Sequence, residues 1–143
     1  MINFFKKKSN ADRKINDNSF TKIAALLIHA AKIDEVYTKE EEEIIKKTLT
    51  ELGAESSNIN ELVADAAIIE ENSNQILDFT REIKNTPEVD KIKIIECLWK
   101  IIYSNNIADV YEANLMRRLA GLLYIDSKTM GEIKERVKME FTK

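Results

Sequence analysis

Three acidic side chains lie where the sequence otherwise predicts the buried face of a helix. Glu41 precedes Ile44 by three residues, so it lies on the same helical stripe as this apolar side chain. Glu112 stands in the same relation to the apolar stripe that begins at Leu115, and Asp34 faces inward from the end of the preceding helix. A buried carboxylate is costly unless it is hydrogen-bonded, paired or bound to a cation, so each position needs a partner.

One hypothesis is that these carboxylates converge on a hard divalent cation. Ca²⁺ and Mg²⁺ prefer oxygen ligands, which carboxylates supply. The pattern differs from an EF-hand loop because it lacks alternating acids and a central glycine. The candidate metal ligands are Asp34, Glu41, Glu112 and also Glu70.

The alternative hypothesis is helix capping. Thr38 and Glu41 form a Thr-x-x-Glu capping box, and Asp109 and Glu112 form a second box of the same spacing. A good cap contributes about 0.5–2 kcal/mol. Capping explains Glu41 and Glu112 but not Asp34, so the residues alone leave both hypotheses open.

The acidic positions belong to an internal sequence repeat. The segment from His29 to Leu49 can be laid over the segment from Lys100 to Ala120. In this alignment Glu41 falls on Glu112 and Asp34 falls on Asn105. The repeat predicts two similar helical units, the second of which lacks an acid at the position that matches Asp34.

Composition and periodicity predict an all-α fold. The chain of 143 residues has three glycines and one proline, too few for a turn-rich β architecture. Apolar residues recur at helical spacing and predict a single compact bundle of about seven short helices over residues 18–143, after a flexible tail at 1–17. The expected helices start near residues 20, 38, 57, 76, 87, 109 and 126, and the fifth is apolar nearly all round, as a central helix should be.

The same features exclude several functions. The net charge of −3 argues against nucleic-acid binding, and no segment is long and apolar enough to span a membrane. Phe4 and Phe5 followed by Lys6–Lys8 leave weak contact with an acidic membrane surface as an alternative to a solvated tail. The single histidine, His29, is expected on the surface, and the single cysteine, Cys97, in the core. No catalytic Ser/His/Asp or Cys/His set can be assembled, so an enzyme is not expected.

The second copy of the repeat resembles the TerB-like (tellurite-resistance protein B) family. Members of that family carry a tryptophan, an Ala-Asp-Gly turn, Tyr-Glu, two basic residues and Ala-x-Leu-Leu. The matching residues here are Trp99, Ser104-Asn105-Asn106, Tyr111-Glu112, Arg117-Arg118, Ala120 and Leu122-Leu123. In the first copy the matches are Ala31, Asp34 and Glu41. This chain departs from the pattern where Glu35 and Asn106 replace glycine and where Asn105 replaces aspartate.

The resemblance implies a bundle of about seven helices without enzymatic activity. It also implies acidic positions proposed to bind divalent metal, and a role in bacterial tellurite resistance or stress response in the cytoplasm. On this basis an acidic pocket is expected to bind a divalent cation or a basic protein segment. The alternative is an adaptor or co-chaperone-like interaction module whose acids are helix caps and ion pairs, with Arg117 or Arg118 as partners.

Overall fold

The computed structural model describes residues 17–32, 37–73, 76–104 and 110–141, with backbone alone at 17, 18, 82, 110–113 and 141. All regular structure in these ranges is helical, which confirms the predicted all-α fold. The described part holds seven α-helices: α1 Asp17–Ala31, α2 Lys39–Glu51, α3 Ile59–Glu71, α4 Leu77–Ile83, α5 Glu88–Ser104, α6 Val110–Leu122 and α7 Ser127–Phe141. A short 3-10 turn, Ser56–Asn58, precedes α3.

The helix starts follow local sequence signals. Thr38 caps α2, as the capping box predicts. Asp126 caps α7, where its Oδ1 accepts a hydrogen bond from the Thr129 N–H at 2.7 Å. This bond lowers the pKa of the Asp126 carboxyl below its ordinary value. Pro87 precedes α5, and its carbonyl accepts from the amides of the first turn.

The core is built around α1 and α5. Six consecutive residues of α1, from Ile23 to Ile28, are at most 1% exposed, so this helix is covered on all sides. The most extensive contacts of α1 are with α3 and α4, while α5 packs most closely on α7 and α2. Full burial of one large aliphatic side chain contributes about 1.5–3 kcal/mol. These two helices therefore form the centre of the described part of the bundle.

The sequence repeat provides a register for comparing residues of the two copies. That register places His29 on Lys100, and it also places the last residue of α2, Glu51, on the last residue of α6, Leu122. Along the chain, α4 lies between α1–α3 and α5–α7. We call α1–α3 the first half and α5–α7 the second half, and residues that this register superimposes are called matching residues.

The N-terminal predictions lie largely outside the described residues. Helix α1 begins at Asp17, the last residue of the predicted tail, and the residues for which membrane-surface contact was considered all precede it. In the described part of the chain, no helix is both long enough and apolar enough to cross a membrane.

Candidate functional site

Glu41 is a fully buried carboxylate at the start of α2. Its Oε1 accepts a hydrogen bond from the Thr38 N–H at 2.8 Å, and the Thr38 hydroxyl accepts from the Glu41 N–H at 3.1 Å. Both halves of the predicted capping box are therefore present. The exposed fraction of Glu41 is 0%, which confirms that this acid faces inward as the helical spacing predicts.

Tyr37 brings a second oxygen to the same region. Its hydroxyl is buried and has no hydrogen-bond partner among the described residues. Burial, followed by the charges of Glu42 and Glu41, raises the pKa of this phenol above its ordinary value. A buried hydroxyl without a partner costs about 1–3 kcal/mol. The start of α2 thus holds a buried carboxylate and a buried hydroxyl within electrostatic reach of each other.

Glu70 joins the end of α3 to the end of α1. One of its carboxylate oxygens accepts from Lys32 Nζ at 2.7 Å, and the other lies 3.2 Å from His29 Nδ1. The hydrogen bond to Glu70 raises the pKa of the Lys32 ammonium. Both carboxylate oxygens have a nitrogen partner, so the burial of Glu70 is explained without a metal. His29 is partly exposed, close to the surface position expected for it.

The predicted metal ligands are only partly visible. Asp34 lies outside the described residues, and Glu112 is described by its backbone alone. Within the described ranges, no group of three or more histidine, cysteine or acidic side chains could hold a metal ion. The convergence of Asp34, Glu41 and Glu112 on one cation therefore stays a prediction.

Acidic side chains do line one groove, at positions that the sequence reasoning did not select. This groove has a volume of about 240 Å³ and lies between the start of α1 and the start of α3. Its lining includes three carboxylates, all exposed: Glu55, Glu61 and Asp65. Because solvent reaches them, these acids need no partner, and helical periodicity treats them as ordinary surface charges.

A second groove, of about 230 Å³, opens in the second half between α5, α6 and α7. We call it the tryptophan groove. Its lining is mainly apolar, with two basic side chains and no carboxylate among the described residues: Trp99, Met116, Arg117, Ala120, Ser127, Met130, Gly131 and Lys134. Lys134 Nζ lies 5.4 Å from the centroid of the Trp99 ring, within the range of a cation–π interaction.

Trp99 is otherwise a core residue, as packing predicts. Only 6% of it is exposed, and its indole N–H is buried without a hydrogen-bond partner among the described residues. Arg117 and Arg118 are both exposed, and Arg117 Nη1 lies 3.5 Å from Asn114 Oδ1. The tryptophan groove therefore combines an apolar floor with positive charge.

The first half is closed at the corresponding positions. Leu49 matches Ala120 in the register of the repeat, and Val63 matches Lys134. Leu49 is 0% exposed and Val63 is 5% exposed, whereas Ala120 and Lys134 are both half-buried. A smaller and a more polar side chain thus line the groove at positions where the first half has two core residues. Sequence reasoning missed the groove because neither Ala120 nor Lys134 is unusual on its own helix.

The turns that follow α2 and α6 have the same hydrogen bond but differ in the residue with positive φ. After each helix, a backbone N–H donates to the carbonyl five residues earlier. The Ala54 N–H donates to the Leu49 carbonyl and the Ile125 N–H to the Ala120 carbonyl, each at 2.9 Å. The residue with positive φ at this turn is Gly53 in the first half but Tyr124 in the second. Glycine adopts this conformation without strain, whereas tyrosine does so at a cost.

Buried Lys91 stabilises the turn that follows α6. Its Nζ donates to the Leu123 carbonyl at 2.9 Å and lies 5.9 Å from the centroid of the Tyr124 ring. A cation at a helix C-terminus is favoured by the helix dipole. The matching residue of the first half is Phe20, which packs beside Gly53. Lys91 was not singled out from the sequence because a lysine in the first turn of a helix looks like a surface residue.

Cys97 lies in the core of α5, as expected. It is 1% exposed, and burial raises the pKa of its thiol to about 12. A thiol with such a pKa remains protonated at neutral pH and is a poor nucleophile.

One comparison with known proteins gives a match. Residues 20–135 match the sequence model of a family described as "Tellurite resistance protein TerB". No curated protein and no solved structure matches the chain.

Proposed function

The chain belongs to the TerB family of tellurite resistance proteins, and from this membership we propose that it is a non-enzymatic interaction module of a bacterial tellurite or stress response. As part of this proposal, it acts in the cytoplasm by docking a protein partner. The observation that carries the proposal is the tryptophan groove, a mainly apolar opening between helices that is lined by two basic side chains. Open apolar grooves between helices are common sites of partner binding.

The described inward-facing acids support this interpretation. Glu41 takes part in a capping box, and Glu70 binds Lys32 and His29. These contacts give both carboxylates a structural role within the bundle, as the adaptor hypothesis expects. The described acids then hold helices in place, and the groove is left to act on other molecules.

Growth in tellurite tests the proposed function. We expect deletion of the gene in its own host to reduce tolerance, and the wild-type gene to restore it. A variant with Ala120→Leu, which fills the groove, is expected to fold but to restore little tolerance. Unchanged growth of the deletion strain in tellurite and under oxidative stress would contradict the proposal.

A divalent cation site at Asp34, Glu41 and Glu112 is the second candidate function. What favours it is the fully buried Glu41 carboxylate near the Tyr37 hydroxyl, which no described residue satisfies, since both offer oxygen to a hard cation. Glu70 is left out of this proposal because its carboxylate already has two nitrogen partners.

Thermal melts of metal-stripped protein test this second candidate. At one hundred times Kd, a cation that binds only the folded chain adds about 2.7 kcal/mol of stability, a rise of several degrees in Tm. The rise should disappear in Glu41→Gln, which keeps a capping-box side chain but loses the charge. The exposed Glu43→Gln is the matched control. No shift with Ca²⁺, Mg²⁺, Mn²⁺ or Zn²⁺ would leave capping as the account of Glu41.

A further inference from the structure

We propose that the tryptophan groove receives an acidic protein segment that inserts one large apolar side chain over Trp99. This inference rests on the proposed function and names the chemistry of the partner. The groove's charge, volume and floor each narrow the choice of occupant.

The charge at the groove selects an acidic partner. Arg117 is exposed at the lining, and Lys134 is half-buried above the Trp99 ring. Neither has an ion pair with a described carboxylate, whereas Arg136 on the same helix as Lys134 binds Glu96 at 2.7 Å. Lys134 and Arg117 are therefore available to carboxylates from another molecule. Opposite charges at the rim of an interface mainly increase the association rate and select the partner.

The size of the groove favours a side chain over a whole small molecule. Pockets that enclose drug-sized ligands have volumes of about 300–1,000 Å³. A groove of about 230 Å³ accommodates roughly one large apolar or aromatic side chain. Met116 and Met130 line its walls, and methionine adapts its shape to an inserted group. A segment with one large apolar side chain flanked by acidic residues therefore fits both the apolar floor and the basic side chains of the groove.

The chain carries its own reporter of this site. Trp99 is the only tryptophan in the sequence, so intrinsic tryptophan fluorescence observes the groove alone. The probe is a blocked peptide with a leucine-phenylalanine pair flanked on both sides by aspartates. Two control peptides replace the aspartates by lysines or the apolar pair by serines. We expect the aspartate peptide to shift Trp99 emission saturably and both controls to bind at least about tenfold more weakly.

Variants of the full chain test separately the basic side chains and the apolar opening of the groove. Lys134→Glu combined with Arg117→Glu should weaken the aspartate peptide on the order of tenfold and reduce the salt dependence of binding. Ala120→Leu should abolish binding while the Tm stays within a few degrees of wild type. The exposed Lys138→Glu on α7 is the matched control, with a change of less than about twofold.

The outcomes distinguish this proposal from the proposed function. Equal binding of the aspartate and lysine peptides, or unchanged binding in Ala120→Leu, would overturn the acidic-segment proposal. So would a change in Trp99 emission with protein concentration alone, because the occupant would then be a second copy of the chain. A deletion strain that is sensitive to tellurite, together with a groove that binds no peptide, would leave the proposed function standing and reject this inference.

Discussion

The two halves of the molecule, defined by the sequence repeat, differ at their matching positions. In the first half, Leu49 and Val63 are core residues, and the groove of this half is lined by exposed acids. In the second half, the matching Ala120 and Lys134 line a groove together with Trp99, and this groove is basic. The two sets of positions therefore differ in side-chain volume and charge.

The helix ends show the same division. The first half ends α2 with Gly53 beside the ring of Phe20, an apolar and unstrained arrangement. The second half ends α6 with a positive-φ tyrosine supported by buried Lys91. Strained backbone often accompanies functional sites. The comparison teaches that the two halves end matching helices differently: the first uses glycine and an apolar ring, and the second uses a positive-φ tyrosine and a buried lysine.

The largest expected effect on stability comes from changing side-chain size at the matching positions Leu49 and Ala120. Leu49→Ala should lower the free energy of unfolding by about 2–5 kcal/mol, because it leaves a cavity in the core. Ala120→Leu at the matching position should change it by less than about 1.5 kcal/mol, because the added side chain enters open space. Urea unfolding of both variants measures the difference. A large loss of stability in Ala120→Leu would show that the second half is as tightly packed as the first.

A smaller effect is expected at the end of α6. Lys91→Met removes the donor to the Leu123 carbonyl and should lower the free energy of unfolding by about 1.5–3 kcal/mol, the usual range for a hydrogen bond from a charged group. The control is Lys93→Met, since Lys93 Nζ lies at the longer distance of 3.5 Å from the Glu51 carbonyl. Chemical denaturation should separate the two variants. Equal stabilities would mean that Lys91 packs chiefly through its methylene chain.

At neutral pH the smallest effect is expected at Cys97, because its contribution depends on pH and becomes visible only in alkaline solution. Burial raises the pKa of Cys97 to about 12, so the folded chain keeps a proton that the unfolded chain releases above about pH 9. Stability contributed by this group is thus complete below pH 9 and is lost as pH rises towards 12. Wild type should lose up to about 1.4 kcal/mol per pH unit relative to Cys97→Ala. Parallel pH profiles of the two proteins would contradict the burial of this thiol.

Much of the fold follows from local sequence signals. The Thr38 capping box, the start near Asp126 and the stop at Pro87 are properties of a few neighbouring residues, and the structure has helices at the predicted places. The inward orientation of Glu41 follows from helical spacing alone. Such features are predictable because capping and periodicity act within one or two helical turns.

The contacts between helices could not be predicted in this way. Glu70 was considered as a metal ligand, but its nitrogen partners come from the end of α1, far earlier in the chain. Lys91 likewise binds a carbonyl on a different helix, beyond the end of α5. No local pattern identifies partners at such separations, because the packing of α1 and α5 against their neighbours determines which side chains meet.

The sequence by itself determined the approximate positions of the helices, the family and the buried orientation of Glu41, all of which depend on neighbours along the chain. Only the tertiary structure decided that Glu70 is an ion-pair acceptor, that Lys91 supports the end of α6, and that Trp99 forms the floor of a groove. The physical reason is that burial and charge pairing depend on the space left between helices. That space is set by the volumes of side chains far apart in sequence, such as Trp99, Ala120 and Lys134.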